Sequence, residues 1–309
     1  MPAAPRTFRL SVPATTANLG PGYDALGLAL SVRNHLDAEV LPDRPGSLEL
    51  EIEGEGAGTL PRGASHLLYR ALVRSLRDRG VEPPGLRLRQ VNRVPLARGM
   101  GSSAAALVAG LALAARLLDE PDWKPRALAL ATEMEGHPDN VAPALLGGLV
   151  ACGMTASGPR VARLPLHPCW RVALAIPGFE VSTAAARARL PQLVPHGAAA
   201  HNLSRLALLL AALQQGEGDL EAAVDDQLHQ PYRAALVPGF RAALDAAREA
   251  GAPGAFLSGS GSTVAALVDS RRVEAEAVAR AMASALEAAG SPCGFRVASP
   301  DPDGARFEE

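Results

Sequence analysis

Lysine is nearly absent from this chain. Its 309 residues carry 30 lysines and arginines together, and Lys124 is the one lysine. A Walker-type phosphate loop ends its glycine-rich turn on Lys followed by Ser or Thr, but Pro125 follows Lys124. Trp123-Lys124-Pro125 is no setting for a kinase strand lysine facing a helix glutamate. A Schiff-base enzyme would rest on the same surface-like residue. Phosphate, if handled at all, falls to backbone amides, a metal ion or arginine.

Cysteine is sparse too. Cys152, Cys169 and Cys293 are far apart and form no CxxC, which argues against a metal cage or disulfide scaffold and fits a reducing cytosol. The N-terminus shows no basic-then-apolar leader. The longest uncharged apolar stretch, 99–115, is too short for a membrane span and reads as a buried helix. A net charge of −2 gives no reason to expect nucleic acid or a membrane as partner. With 48% hydrophobic and 20% charged residues, the chain reads as a soluble, cytoplasmic protein of about two domains.

The periodicities are mixed, and the class is α+β. Residues 8–12, 35–41, 48–52 and 86–91 alternate as strands, the first broken by Pro13. Ser65 reads as the N-cap of a helix to about 79, and 104–118 and 125–135 read as further helices. A polar turn, 136–140, then leads to a strand at 149–151. Gly, Ser and Pro cluster over 153–168, so a boundary is placed there, with domains at 1–155 and 165–309. The second part opens on a strand at 171–176. Helices are expected near 183–189, 201–215, 219–229, 239–250 and 274–289, with strands at 264–268 and 295–297.

Four segments could carry chemistry. The first is Pro95-Leu96-Ala97-Arg98-Gly99-Met100-Gly101-Ser102-Ser103-Ala104-Ala105. Its glycines let a phosphate approach, the serines open a helix whose free amides form an anion site, and a hydroxyl there can bind Mg²⁺. A plain N-cap and a dinucleotide fingerprint (Gly99-x-Gly101-x-x-Ala104, with Asp119 downstream) compete. The latter ranks lower because Asp119 ends a helix rather than a second parallel strand. The second segment, 13–27, is a glycine-rich loop bearing Asn18 and Asp24, which could equally serve turns. The third, 257–264, is a Gly-Ser loop with Gly259 and Gly261 that is weak alone but could close over phosphates. The fourth runs from Glu133 to Asn140. Glu133 could complete a Mg²⁺ site with Ser102 or Ser103, Glu135 reads as a solvated helix end, and His137 alone reads as structural.

Together these segments resemble the GHMP small-molecule kinases. Residues 95–105 look like their PxxxGLGSSAA motif, and all three family motifs stand in order. Within the superfamily the resemblance is to homoserine kinases, through PATTANLGPGYDALG (13–27), EGHPDNVAPA (135–144), IPGFEVSTAAAR (176–187) and QPYR (230–233). Met100 in place of Leu and Ser262 in place of Pro are mild departures, and the galactokinase signature is missing.

The resemblance implies an N-terminal domain like ribosomal S5 domain 2, a ferredoxin-like C-terminal domain and a homodimer. It also implies ATP- and Mg²⁺-dependent phosphorylation of the L-homoserine hydroxyl. Loop 95–105, with Gly259 and Gly261, would hold ATP, and Ser102 or Ser103 with Glu133 the metal. Asn18, Asp24, His137, Asp139, Thr183, Arg187 and Arg233 would surround the amino acid, with Asn18, Thr183 and Asp139 as catalytic candidates.

Homoserine is a zwitterion. Its carboxylate calls for arginine forks, met by Arg187 and Arg233, and its ammonium for an acid, met by Asp24. No secure general base is expected, Asp139 being the nearest candidate. A mevalonate-type kinase and a catalytically silent relative are the rival readings.

Overall fold

The computed structural model describes residues 6–308. Strands β1 (Thr7–Asn18) and β2 (Gly22–Leu41) form a long antiparallel hairpin that runs from Thr7↔Glu39 to Asn18↔Gly22. Pro13 does not end β1, contrary to the expected break. It sits where the register shifts between Pro13 and Ala14, a bulge that tolerates a missing N–H. Segment 13–27 is therefore mostly sheet rather than loop, with only the tip turning. There Asn18 (φ 72°), Leu19 (φ 47°) and Asp24 (φ 53°) take left-handed geometry.

Next come β3 (Leu48–Gly54), α1 (Leu67–Arg77) and β4 (Gly85–Asn92), a crossover that sets β3 parallel to β4. Helices α2 (Ser102–Leu117), α3 (Lys124–Glu135) and α4 (Val141–Leu146) follow. The hairpin β5 (Leu149–Thr155) and β6 (Gly158–Leu164) then joins β2 through β5. The stretch 153–168, read as a boundary, thus carries a strand of the first sheet.

The second part contains β7 (Trp170–Pro177), α5 (Thr183–Ala188), α6 (His196–Gln215), α7 (Leu220–Ala223), α8 (Gln230–Arg233) and α9 (Phe240–Glu249). It continues through β8 (Gly254–Leu257), β9 (Val264–Asp269), α10 (Ala275–Ala288) and β10 (Cys293–Ala298). Strand β11 (Arg306–Glu308) then returns to pair with β1. Among the described residues the first sheet runs β11-β1-β2-β4-β3 with β5 and β6 attached, and the second runs β10-β7-β9-β8. The helix expected over 219–229 is only four residues long, because the Asp226 carboxylate beyond it captures the backbone amides of Leu228, His229 and Gln230.

Apolar residues all round α2 explain its burial: Ala104, Ala105 and every residue from Leu107 to Ala115 are buried, as a helix without a polar face must be. Gly110 lets α1 cross closely, since a Cβ there would lie 2.1 Å from the Leu68 carbonyl oxygen. A second core joins the two parts, with Leu28 and Leu30 of β2 against Trp170, Val172, Leu209 and Phe256. The seam beside this shared core is where the functional loops converge.

Candidate active site

The loop between β4 and α2 is held in left-handed geometry at Ala97 (φ 51°), Gly99 (φ 70°) and Gly101 (φ 69°). Its glycines are required by close approach. A Cβ on Gly101 would lie 1.9 Å from Thr15 Oγ1, and one on Gly99 2.0 Å from the Ser258 carbonyl oxygen. No side chain caps α2, so its first amides are free to face a ligand.

The third loop packs directly on the first. Ser258 Oγ donates to Gly99 O at 2.6 Å, and the Thr263 amide donates to Arg98 O at 3.2 Å. The Gly259 amide donates to Ala17 O at 3.1 Å, tying in the hairpin tip.

These contacts enclose a cleft of about 300 Å³. Of the expected ATP loop, Ala97, Gly99, Gly101, Ser102 and Ser103 line it, as does Gly259 of the third loop. Pro95, Leu96, Arg98, Met100, Ala104, Ala105 and Gly261 are not among its lining residues. Arg98 instead donates to the carbonyls of Pro177 (2.9 Å), Leu96 (2.8 Å) and Gly178 (3.0 Å), fastening the loop to the end of β7. Met100 is buried in the shared core.

One expectation is corrected. Glu133 does not meet the serines: it is exposed and pairs with Arg74 at 3.2 Å. Glu135 lines the cleft and accepts a hydrogen bond from Ser103 Oγ. Residues two positions apart on a helix lie roughly 200° apart around its axis, so only one of these acids can face α2. Spacing in the sequence does not separate them, because Ala129 stands four residues before Glu133 as Ala131 does before Glu135; burial does, since Ala129 is exposed. The buried Ala127 and Ala131 stand at four-residue spacing from Glu135, not from Glu133.

All seven residues expected around the amino acid line the same cleft. Asn18 is buried at the hairpin tip; its Nδ2 donates to Gly259 O at 3.0 Å and its Oδ1 accepts from the Asp24 amide at 3.1 Å. One N–H and one lone pair remain for a ligand. Thr183 opens α5, whose N-cap Ser182 accepts from the Ala185 amide at 3.1 Å. His137 Nδ1 lies 2.5 Å from Asp139 Oδ1, which also accepts from Asn140 Nδ2 at 3.2 Å. Burial disfavours the His137 imidazolium, but the hydrogen bond and charge of Asp139 outweigh it and raise the pKa above 6.5.

Arg187 and Asp24 face each other. Arg187 Nη2 donates to Asp24 Oδ1 at 2.8 Å and Nη1 to Oδ2 at 3.0 Å. Nη1 also donates to the Tyr23 hydroxyl at 2.8 Å. Arg233 is buried and donates to carbonyls, Gly259 O at 3.2 Å and Ala186 O at 3.4 Å. Burial lowers its pKa from the usual guanidinium value. Donor atoms of Asp24, His137 and Asp139 come within 4.8 Å of one another. Arg187 and the imidazole already answer those carboxylates, however, which suits an ammonium guest better than a further metal.

Sequence reasoning missed Tyr23, Asn140 and the layer behind them. The Tyr23 ring stacks on His229 with centroids 5.4 Å apart, and the Arg233 guanidinium lies 5.3 Å from the Tyr23 centroid. His229 Nε2 bonds Gly20 O at 2.8 Å, and Thr15 Oγ1 bonds Asn140 Oδ1 at 2.7 Å. Tyr23 and Asn140 lie inside the quoted motifs 13–27 and 135–144, and His229 directly precedes 230–233; that placement was their only signal. Cys152 is a spectator, its thiol pushed up to about 12 by burial.

Known proteins show the same organisation. Residues 66–148 match the family described as GHMP kinases N terminal domain, and residues 199–288 match GHMP kinases C terminal. The homoserine kinase of Carboxydothermus hydrogenoformans is 46% identical over 272 residues, covering 88% of this chain and 87% of the relative. That of Moorella thermoacetica is 45% identical over 295 residues, covering 95% and 97%. The crystal structure of homoserine kinase from Cytophaga hutchinsonii has a TM-score of 0.86 at 28% identity, covering 100% of this chain and 99% of that one. A mevalonate kinase structure from L. major, at 18% identity and a TM-score of 0.69, shares the fold.

Proposed function

The chain belongs to the GHMP kinases and, within them, to the homoserine kinases, and from that premise we propose how its cleft divides the work. The enzyme transfers the γ-phosphoryl group of ATP to the side-chain hydroxyl of L-homoserine, forming O-phospho-L-homoserine on the route to threonine. One observation carries the division of labour: a single cleft joins the uncapped end of α2 to two arginines and a carboxylate.

On the nucleotide side, the α2 amides and the glycine turn receive the triphosphate, with Gly259 of the third loop facing them. Ser102 or Ser103 with Glu135 would hold Mg²⁺. The fit rests on a carboxylate and a hydroxyl already in contact beside the anion site, a hard-oxygen donor set. Bound there, the ion supplies neutralisation of charge on the phosphate oxygens.

On the acceptor side, Arg187 and Arg233 take the substrate carboxylate and Asp24 takes its ammonium. Asn18 uses its remaining N–H and lone pair to orient the hydroxyl, with Thr183 and the His137–Asp139 pair closing the wall. No general base is assigned. Asp139, the nearest candidate, is engaged by His137 and Asn140. A loose phosphoryl transition state asks mainly for alignment and charge neutralisation, which these groups provide.

The chain works in the cytoplasm as a homodimer. Sparse cysteines and the absence, among the described residues, of a helix long and apolar enough to cross a membrane support the first. Exposed Leu203 and Leu208 on α6 and Leu193 just before it support the second.

ADP release measured with homoserine, mevalonate, shikimate and galactose tests the assignment. Turnover confined to homoserine is expected, and preference for mevalonate would move the chain to the rival kinase class.

A further inference from the structure

Without substrate, the two groups assigned to the ends of the amino acid satisfy each other. Both η nitrogens of Arg187 are donated to both oxygens of Asp24, at 2.8 and 3.0 Å. The fork that should hold a carboxylate already holds one, and the acid that should hold an ammonium already holds a cation. We propose that homoserine binds by exchanging this ion pair. Its carboxylate replaces that of Asp24 on Arg187 while its ammonium replaces the guanidinium on Asp24, so the pair selects zwitterions. The proposal rests on the acceptor-site reading above.

The surroundings suit such an exchange. The pair is about one-third exposed on each side, 36% for Arg187 and 33% for Asp24, so it is held only modestly and can open. Each member keeps an anchor when it does. The Asp24 backbone amide stays on Asn18 Oδ1 at 3.1 Å, and Arg187 stays on the Tyr23 hydroxyl at 2.8 Å. Arg233, which among the described residues bonds only carbonyls and the His229 ring, waits beside them for the same carboxylate.

The specificity follows from charge accounting. A zwitterion breaks one ion pair and makes two. A ligand carrying only the carboxylate must pull Arg187 away and leave Asp24 facing the cleft unpaired. A ligand carrying only the ammonium strands Arg187 in the same way. Each is penalised beyond the contact it lacks, because a partly buried charge deprived of its partner opposes binding.

The test compares kcat/KM by ADP release for L-homoserine, 4-hydroxybutyrate and 3-aminopropan-1-ol in the wild type, Asp24→Asn and Arg187→Gln. Asn tolerates the left-handed backbone at position 24, so the first variant keeps the hairpin tip. Asp24→Asn should weaken homoserine use yet raise 4-hydroxybutyrate use about two- to fivefold above wild type, because Arg187 is released from its internal competitor. Arg187→Gln should mirror this with 3-aminopropan-1-ol, and it decides the matter in the same way if Asp24→Asn fails to melt cooperatively. Unchanged or reduced use of the singly charged alcohol in the folded variant overturns the exchange. Failure of wild-type enzyme to use homoserine overturns the acceptor-site reading instead, so the two failures are distinguishable.

Discussion

Ser103 and Glu135 meet across the wall of the cleft, hydroxyl to carboxylate, at the point where the free end of α2 faces the end of α3. Glu133, one helix face away, reaches Arg74 instead. In the proposed reading this contact assigns the metal to Glu135. Glu135→Gln is expected to lower kcat by about 10²-fold and to raise the Mg²⁺ concentration needed for half-maximal rate. Glu133→Ala should stay within about twofold of wild type, as surface changes do. Mg²⁺ titrations of both variants check the assignment, and the reverse ranking would return the role to Glu133.

Gly101→Ala tests the phosphate loop. Its Cβ would fall on Thr15 Oγ1 at φ 69°, so the turn must shift. The KM for ATP should rise at least about tenfold while the fold survives, since the strain is confined to a loop. An unaltered ATP saturation curve would show that the loop does not cradle the triphosphate.

Gly110→Ala tests the helix crossing that supports that loop. With the Leu68 carbonyl oxygen 2.1 Å from the new methyl, α1 must move off α2. A loss of about 1–3 kcal/mol in urea denaturation is expected, with the m-value unchanged.

His229 gives the chain a pH dependence. Burial holds its imidazole below the ordinary 6.5, and the Arg233 charge adds to this against the opposing pull of Asp226. The folded-state pKa lies below the unfolded one, so the stabilisation is present above about pH 6.5 and is lost as pH falls towards the folded value. Denaturant unfolding between pH 8 and pH 5 should show a steeper decline for wild type than for His229→Gln, by at most about 1.4 kcal/mol per pH unit. Parallel curves would mean that the ring takes up its proton equally readily folded and unfolded, and would contradict the lowered folded-state value.

Much of the site was legible because its motifs are local. The glycine turn before α2 and the hairpin-tip residues are each contiguous in sequence, and their chemistry follows from residue type. What escaped required knowing which way an element faces. Both glutamates of α3 sit on a helix with weak amphipathy, each four residues after an alanine, and only the burial of Ala131 against the exposure of Ala129 marks the inner face. Pro13 reads as a strand breaker until the β2 register shift opposite it is seen. The Asp24–Arg187 contact spans 163 residues, and sequence reasoning placed both groups on the substrate without showing that they also fit each other.

The central claim is that this cleft phosphorylates the hydroxyl of a zwitterionic amino acid. Phosphorus NMR of a reaction containing ATP, Mg²⁺ and L-homoserine tests it most directly. The account predicts one phosphomonoester of homoserine formed per ADP, and no such ester when mevalonate, shikimate or galactose replaces it. Loss of ATP signal into inorganic phosphate alone, or an ester formed on mevalonate, would contradict it.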